Sequence, residues 1–369
     1  MESITRRSLL LAAGVSLAGC AGRSPGSVAG GQDDSAESTA TRTTARGTPV
    51  SGLPLATDSL PVEYEFEKLR NEVLSGGPPK DGIPSIDDPE FWTRAEADSE
   101  LDDRDVVFGL VRNGEVKAYP QKILVWHEIA NDVVGGEPVT VSYCPLTGTA
   151  MGFRRGETTF GVSGKLLNNN LVMYDRETDS RWPQILGTAI SGEFEGQSLQ
   201  EFRLVWTRWA DWKATHPDTK VLNEETGSLR NYGQDPYGSY VPDRGGYYVR
   251  DSTLFPALAT DDRFPAKHVV LGARTEDGRV AFDKSALSEQ GVLQTKLGGN
   301  SYLAVYDPAL DIGYVYRNGA EASVEVQDGE VTLDGETHAP AELPLESLYA
   351  FDAMWFAWSG FYPSTAVVK

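Results

Sequence analysis

The pattern Trp209-x-x-Trp212-x-x-x-His216-Pro217-x-Thr219-x-Val221 returns 146 residues later as Trp355-x-x-Trp358-x-x-x-Tyr362-Pro363-x-Thr365-x-Val367. Self-similarity on this scale marks a repeated structural unit, so the fold has to accommodate two copies of it. Upstream, Val106-Val107-Phe108-Gly109 with Gly114-Glu115-Val116-Lys117-Ala118-Tyr119 matches Val269-Val270-Leu271-Gly272 with Gly278-Arg279-Val280-Ala281-Phe282. Between these blocks, Leu171-Val172-Met173-Tyr174-Asp175 matches Leu303-Ala304-Val305-Tyr306-Asp307. Three matches in one order predict an internal duplication, with a first copy over 76–225 and a divergent second copy over 226–369. Gly109 to Tyr174 spans 65 residues and Gly272 to Tyr306 spans 34, which gives the first copy 31 extra residues (65 − 34). That block holds Trp126-His127-Glu128 and Tyr143-Cys144-Pro145-Leu146-Thr147-Gly148-Thr149, and the candidate chemistry is placed there.

Local patterning predicts a strand-rich α+β body with Gly- and Pro-rich turns. Val106–Val111 and Glu115–Ala118 flank Arg112-Asn113-Gly114, a hairpin with an Asn-Gly turn. Ile123, Val125, Trp126, Ile129 and Ala130 predict a helix over Gln121–Asn131, ending before Gly135-Gly136. Strands are expected at Pro138–Tyr143, Thr158–Val162 and Leu171–Tyr174, and a short helix at Trp209–Thr215, stopped by Pro217.

The N-terminus reads as an address. Arg6-Arg7 precede a ten-residue apolar run, Leu9 to Ala18. Ten helical residues span about 15 Å, too short for a bilayer core of about 30 Å. A twin arginine before such a run resembles a Tat export signal. Leu17-Ala18-Gly19-Cys20 resembles a lipobox, in which Cys20 is lipidated and becomes the first mature residue. Residues 1–20 are therefore expected to be a signal, and 21–53, rich in Ser, Thr and Gly, a disordered tether. The expected location is the outer face of the cytoplasmic membrane, with the lipid anchor as the membrane partner.

The net charge of −21 repels phosphate backbones, so no nucleic-acid partner is expected. Eleven Lys against 22 Arg, with abundant Asp and Glu, predict a protein adapted to high salt, where screening removes most self-repulsion. Cys20 and Cys144 are the only cysteines, which excludes a disulfide framework, a Cys₄ zinc site and an iron–sulfur cluster on one chain. P-loop, Gly-x-Ser-x-Gly and His-Glu-x-x-His motifs do not occur.

Several long motifs carry a family resemblance. Gly76-Gly77-Pro78-Pro79-Lys80-Asp81-Gly82-Ile83-Pro84, Trp126-His127-Glu128-Ile129, Tyr143-Cys144-Pro145-Leu146, Leu171–Asp175, His216-Pro217-Asp218-Thr219 and Phe356-Ala357-Trp358 resemble the bacterial and archaeal domain of unknown function 3179. The resemblance runs from about Gly76 to Val368. It implies no particular activity, although many family members resemble exported or lipid-anchored proteins. The family's usual Cys-Pro-Leu-Cys-Gly-Thr has Thr147 at its second Cys here, and Tyr362 stands where a His often precedes Pro. Both departures remove potential metal or redox ligands.

Three readings of the residues stay open. In the first, His127 and Cys144 hold a transition metal, copper or zinc, supported by Glu128, His216 or Asp175. In the second, Cys144 is the nucleophile of a hydrolase or transferase, with His127 as base oriented by Glu128 or Asn131. In the third, the body is a binding or scaffold protein and Cys144 is a buried structural thiol. Both active readings require the thiol and the imidazole to lie about 3–4 Å apart. His216 reads as a helix-end cap, Tyr174-Asp175 as scaffold, the paired Trp residues as core, and Asn168-Asn169-Asn170 as a turn. Lys80-Asp81-Gly82 with Asp87-Asp88-Pro89 reads as a solvated turn rather than a calcium loop, and His268 and His338 have no motif context.

Overall fold

The computed structural model describes residues 52–239, 244–319, 321–327 and 329–369. The predicted hairpin is present as strands Val106–Arg112 and Glu115–Pro120, antiparallel from Val107↔Pro120 to Arg112↔Glu115. Asn113 and Gly114 both take positive φ (47° and 81°), the requirement of a tight two-residue turn that preserves strand twist. The hairpin belongs to a five-stranded sheet. Val205–Arg208 pairs antiparallel on one side, Lys220–Leu222 pairs parallel on the other, and Phe91–Trp92 forms the edge.

The helix after the hairpin is shorter than the apolar pattern predicts. It covers Gln121–His127 and closes at Glu128, whose backbone is left-handed (φ 58°) and whose N–H bonds Leu124 O. Ile129–Val134 is a strand, not the end of that helix. It turns at Gly135-Gly136 and pairs with Glu137–Cys144, which pairs in turn with Thr149–Arg154. The helical spacing misled because this strand, buried on both faces except at Val133, lacks the polar–apolar alternation that marks a half-buried strand.

The second half repeats this connectivity. Hairpin Val269–Thr275/Gly278–Asp283 leads into helix Lys284–Gln290, closed by Gly291 at φ 77°. A three-stranded meander follows: Val292–Leu297, Asn300–Asp307 and Ile312–Arg317. Ala350–Met354 then returns to the hairpin's first strand, as Val205–Arg208 does, and Ala366–Val368 pairs parallel with its second. Both halves thus carry one sheet order, edge–hairpin–parallel strand, and one meander order.

This register corrects two expectations. Cys144 lies as far beyond Gly109 as Asp307 lies beyond Gly272, and both end the middle strand of a meander. Tyr306-Asp307 therefore correspond to Tyr143-Cys144, not to Tyr174-Asp175. The latter end a strand of a separate sheet, which includes Phe160–Leu167 and Arg181–Pro183. His127 and Cys144 accordingly lie on elements whose order recurs in the second half, a helix and the meander after it, rather than in an inserted block. The additional chain of the first half falls after Arg154. The matching Leu-x-x-Tyr-Asp runs misled because an apolar strand ending in a polar turn is a common pattern.

The described residues belong to one compact unit. Strand-rich α+β architecture is clear, at 41% strand against 14% helix. The four repeated tryptophans, Trp209, Trp212, Trp355 and Trp358, are fully buried, as expected of core. Each second indole lies over a strand glycine: a Cβ at Gly109 would sit 2.2 Å from Trp212, and one at Gly272 2.3 Å from Trp358. Residues 1–51, including Arg6, Arg7, Cys20 and nearly all of the expected tether, lie outside the described residues; Leu53 at its end is already core.

Candidate functional site

Glu128 occupies the joint between helix and strand. Its main-chain carbonyl accepts the Tyr143 N–H at 2.7 Å, which fixes it beside the end of the Cys144 strand. A left-handed backbone is unfavourable for a residue with a Cβ by about 1–2 kcal/mol. The second half has glycine at this joint, where left-handed φ carries no such penalty. Glu128 is 6% exposed, and its carboxyl has no hydrogen-bond or ion-pair partner among the described residues. Burial alone pushes its pKa up to about 8. The acid is therefore mostly protonated at neutral pH.

The carboxyl faces a cavity of about 170 Å³ walled by Ile83, Leu146, Val162, Leu166, Leu254 and Phe255. Tyr237 and Lys165 supply the other polar side chains. Burial raises the Tyr237 phenol, and the neighbouring charges of Glu128, Cys144 and Asp235 raise it further. The cavity is smaller than drug-sized pockets of about 300–1,000 Å³, so it suits a small molecule.

Cys144 is buried at 1% exposure. Its thiol points to Asn169 O at 3.6 Å and accepts the Leu171 N–H at 3.4 Å. Burial, then the Glu128 charge, push its pKa up to about 11; contacts from Thr147 and Leu171 oppose the shift. A thiol in that state is neither a resting nucleophile nor a ready metal ligand.

His127 is fully buried, and both ring nitrogens are committed. Nδ1 lies 2.7 Å from Pro84 O, which can only accept, so Nδ1 carries the proton. Nε2 then accepts from the Tyr232 hydroxyl at 2.7 Å, and Tyr232 is also bonded to Thr226 at 2.6 Å. Burial lowers the imidazole pKa despite the Pro84 bond. His127 thus pins the 84 segment to the 232 loop as a neutral ring. It shares no hydrogen bond with Cys144, so the structure does not supply the pairing that both active readings require. It is Glu128, the proposed orienting group, that neighbours the thiol.

The supporting residues are occupied elsewhere. Asn131 bonds Asp87, Phe160 and Thr140. Asp175 accepts from Thr178 and, at 3.0 Å, from Trp182 Nε1, the scaffold role expected of it. His216 ends its helix with its N–H on Trp212 O, but burial lowers its pKa and its ring packs on Trp212 at 4.1 Å. Packing, rather than a cationic cap, explains that histidine. Tyr362 repeats the arrangement against Trp358 at 4.6 Å. Thr147, at the family's second Cys, joins a buried network with Thr149, Asn170 and Gln184. Asn168 and Asn169 take left-handed turn conformations, as expected, and their amides also bond the Ala357, Phe255 and Leu258 backbones. Asp81 is held by Tyr174 and Arg176. Among the described residues no group of three or more His, Cys, Asp or Glu side chains could hold a metal ion.

A family profile described as "Protein of unknown function (DUF3179)" matches residues 80–365. The chain belongs to that family. No curated protein and no solved structure matches it. Sequence reasoning assigned Glu128 a supporting role and missed Tyr232, Tyr237 and Pro84. The available signal for Glu128 was its alignment with Gly291, which the mistaken Tyr174 match concealed.

Proposed function

We propose that this DUF3179 protein is an exported, lipid-anchored binding protein whose body takes up a small neutral molecule at Glu128. The observation that carries this reading is a buried, unpartnered carboxyl on a left-handed backbone, facing a cavity. Backbone strain and a desolvated carboxyl without a protein partner at one residue are costs that folding alone does not explain. A protonated carboxyl presents one O–H donor and one carbonyl acceptor side by side. An amide presents the complementary pair, so a short-chain primary amide fits both the acid and the apolar walls.

The readout is calorimetric titration with butyramide. Saturable binding that is lost in Glu128→Gly supports the reading; absence of binding, or equal binding by the variant, overturns it. The copper or zinc reading keeps one favourable feature, the closeness of Glu128 to Cys144, and lacks His127. Stoichiometric zinc or copper binding abolished by Cys144→Ser would restore it. A Cys144 nucleophile draws no support from a thiol whose pKa is about 11.

A further inference from the structure

A separate groove lies where the two halves meet. It encloses about 480 Å³, and its ionisable lining is Arg244, Lys267, His268, Lys284, Asp311 and Asp352. Three cations and an imidazole against two carboxylates invert the sign of a chain whose net charge is −21. Asp352 pairs with Lys284 through Oδ2 while its buried Oδ1 has no hydrogen-bond partner among the described residues, and Asp311 accepts the Tyr306 hydroxyl at 2.7 Å. His268 is bonded to Asp283 at 2.8 Å.

Lys267 is different. It is 8% exposed, and no carboxylate lies within ion-pair distance among the described residues. Its ammonium donates to Tyr247 O at 2.5 Å and Ser252 O at 3.0 Å, over the Tyr247 ring at 3.4 Å. These neutral contacts orient the charge without cancelling it. Burial and the like charge of Arg250 pull its pKa down to about 8, against the weaker pull of Asp251. A buried cation without a counter-charge is normally paired or neutralised.

We propose that this groove binds a small oxyanion, with Lys267 as its main counter-charge and Arg244 and Lys284 beside it. An oxyanion supplies the missing charge and accepts charge-assisted hydrogen bonds, which are strong in a partly dry site. Carboxylate and phosphate share this chemistry, and succinate and inorganic phosphate tell them apart.

The test titrates each anion into the full chain by calorimetry at constant ionic strength. Saturable binding of at least one is expected. Lys267→Met is to weaken it by about tenfold or more, the effect of removing one charged hydrogen-bond partner. Lys267→Arg is to retain it, and Arg244→Gln, at an exposed position, is to weaken it severalfold. Glu128→Gln, in the other cavity, leaves it unchanged. No saturable binding of either anion overturns the proposal, as does undiminished affinity in Arg244→Gln and Lys267→Met. Should Lys267→Met fail to fold, undiminished affinity in Arg244→Gln alone is enough to overturn it.

Discussion

Tyr143 donates its main-chain N–H to Glu128 O at 2.7 Å, and Tyr306 donates in the same way to Gly291 O at 2.8 Å. The bond closes the same helix–strand joint in both halves. In each, the closing residue also returns its N–H to the helix, to Leu124 O and Leu287 O respectively. The scaffold therefore needs a left-handed residue here and no side chain. Glu128 is the half-specific addition, and its carboxyl is what the cavity receives.

Glu128 makes stability depend on pH in a direction opposite to most carboxylates. Its folded pKa of about 8 lies above the usual 4.5. The folded state then holds a proton that the unfolded chain releases, so stability falls as pH rises from about 4.5 to 8 and levels off above. The difference is on the order of 3 kcal/mol at pH 7. Glu128→Gln removes this decline, and Glu128→Gly also relieves about 1 kcal/mol of backbone strain. Urea unfolding of the three proteins at pH 4.5, 7 and 8.5 checks it. A parallel pH profile in wild type and Glu128→Gln would show that the carboxyl is ionised in the fold.

Cys144 is expected to be inert in the native state. With a pKa near 11 its thiolate fraction at pH 7 is on the order of one in ten thousand, and its 1% exposure blocks reagents further. Iodoacetamide labelling, read by mass spectrometry of the Cys144 peptide, should track global unfolding, staying slow until urea unfolds the chain. Rapid labelling of the folded protein would contradict the buried environment.

Some of this structure was legible in the sequence for definite physical reasons. Asn113-Gly114 predicted its hairpin because both turn positions need positive φ. Pro217 bounded the Trp209–Thr215 helix because proline cannot continue it. Ile129–Val134 was misread because burial on both faces erases the alternation that marks a strand. His127 looked like a ligand because an imidazole's commitments are tertiary: Pro84 and Tyr232 are remote in sequence. Glu128 was undervalued for a similar reason. Its importance comes from its backbone angle and the absence of partners, neither of which is written in a residue type.

Export and anchoring rest on Arg6-Arg7 and Cys20. Replacing both arginines by lysine should leave the uncleaved precursor inside the cell. Cys20→Ala should leave the precursor uncleaved or release the body from membranes. Fractionation with immunoblotting reads both. Cleaved Cys20→Ala protein recovered in the membrane at the wild-type level would remove the lipid anchor from the proposal.

Gly109 and Gly272 offer a test of the repeated scaffold that depends on neither cavity. Each lies under the second Trp of its half, and each of those indoles is tied to the threonine seven residues on, Trp212 to Thr219 at 2.9 Å and Trp358 to Thr365 at 3.0 Å. The indole can therefore not retreat without breaking a buried hydrogen bond. A methyl at either glycine would approach ring carbons to within 2.2 or 2.3 Å, well inside contact distance. Overpacking of this kind costs about 1–3 kcal/mol, and loss of the Trp–Thr bond adds about 1 kcal/mol. Gly109→Ala and Gly272→Ala should each destabilise by about 2–4 kcal/mol in urea unfolding. If internal duplication produced the two halves, as we propose, the two losses should agree within about 1 kcal/mol, because each half meets the clash with the same pair of restraints. Substituting Trp212→Phe in Gly109→Ala, and Trp358→Phe in Gly272→Ala, frees the ring from its threonine and should recover part of each loss. Recovery in one half only would mean that the two Gly–Trp contacts are alike in shape but not in the packing behind them.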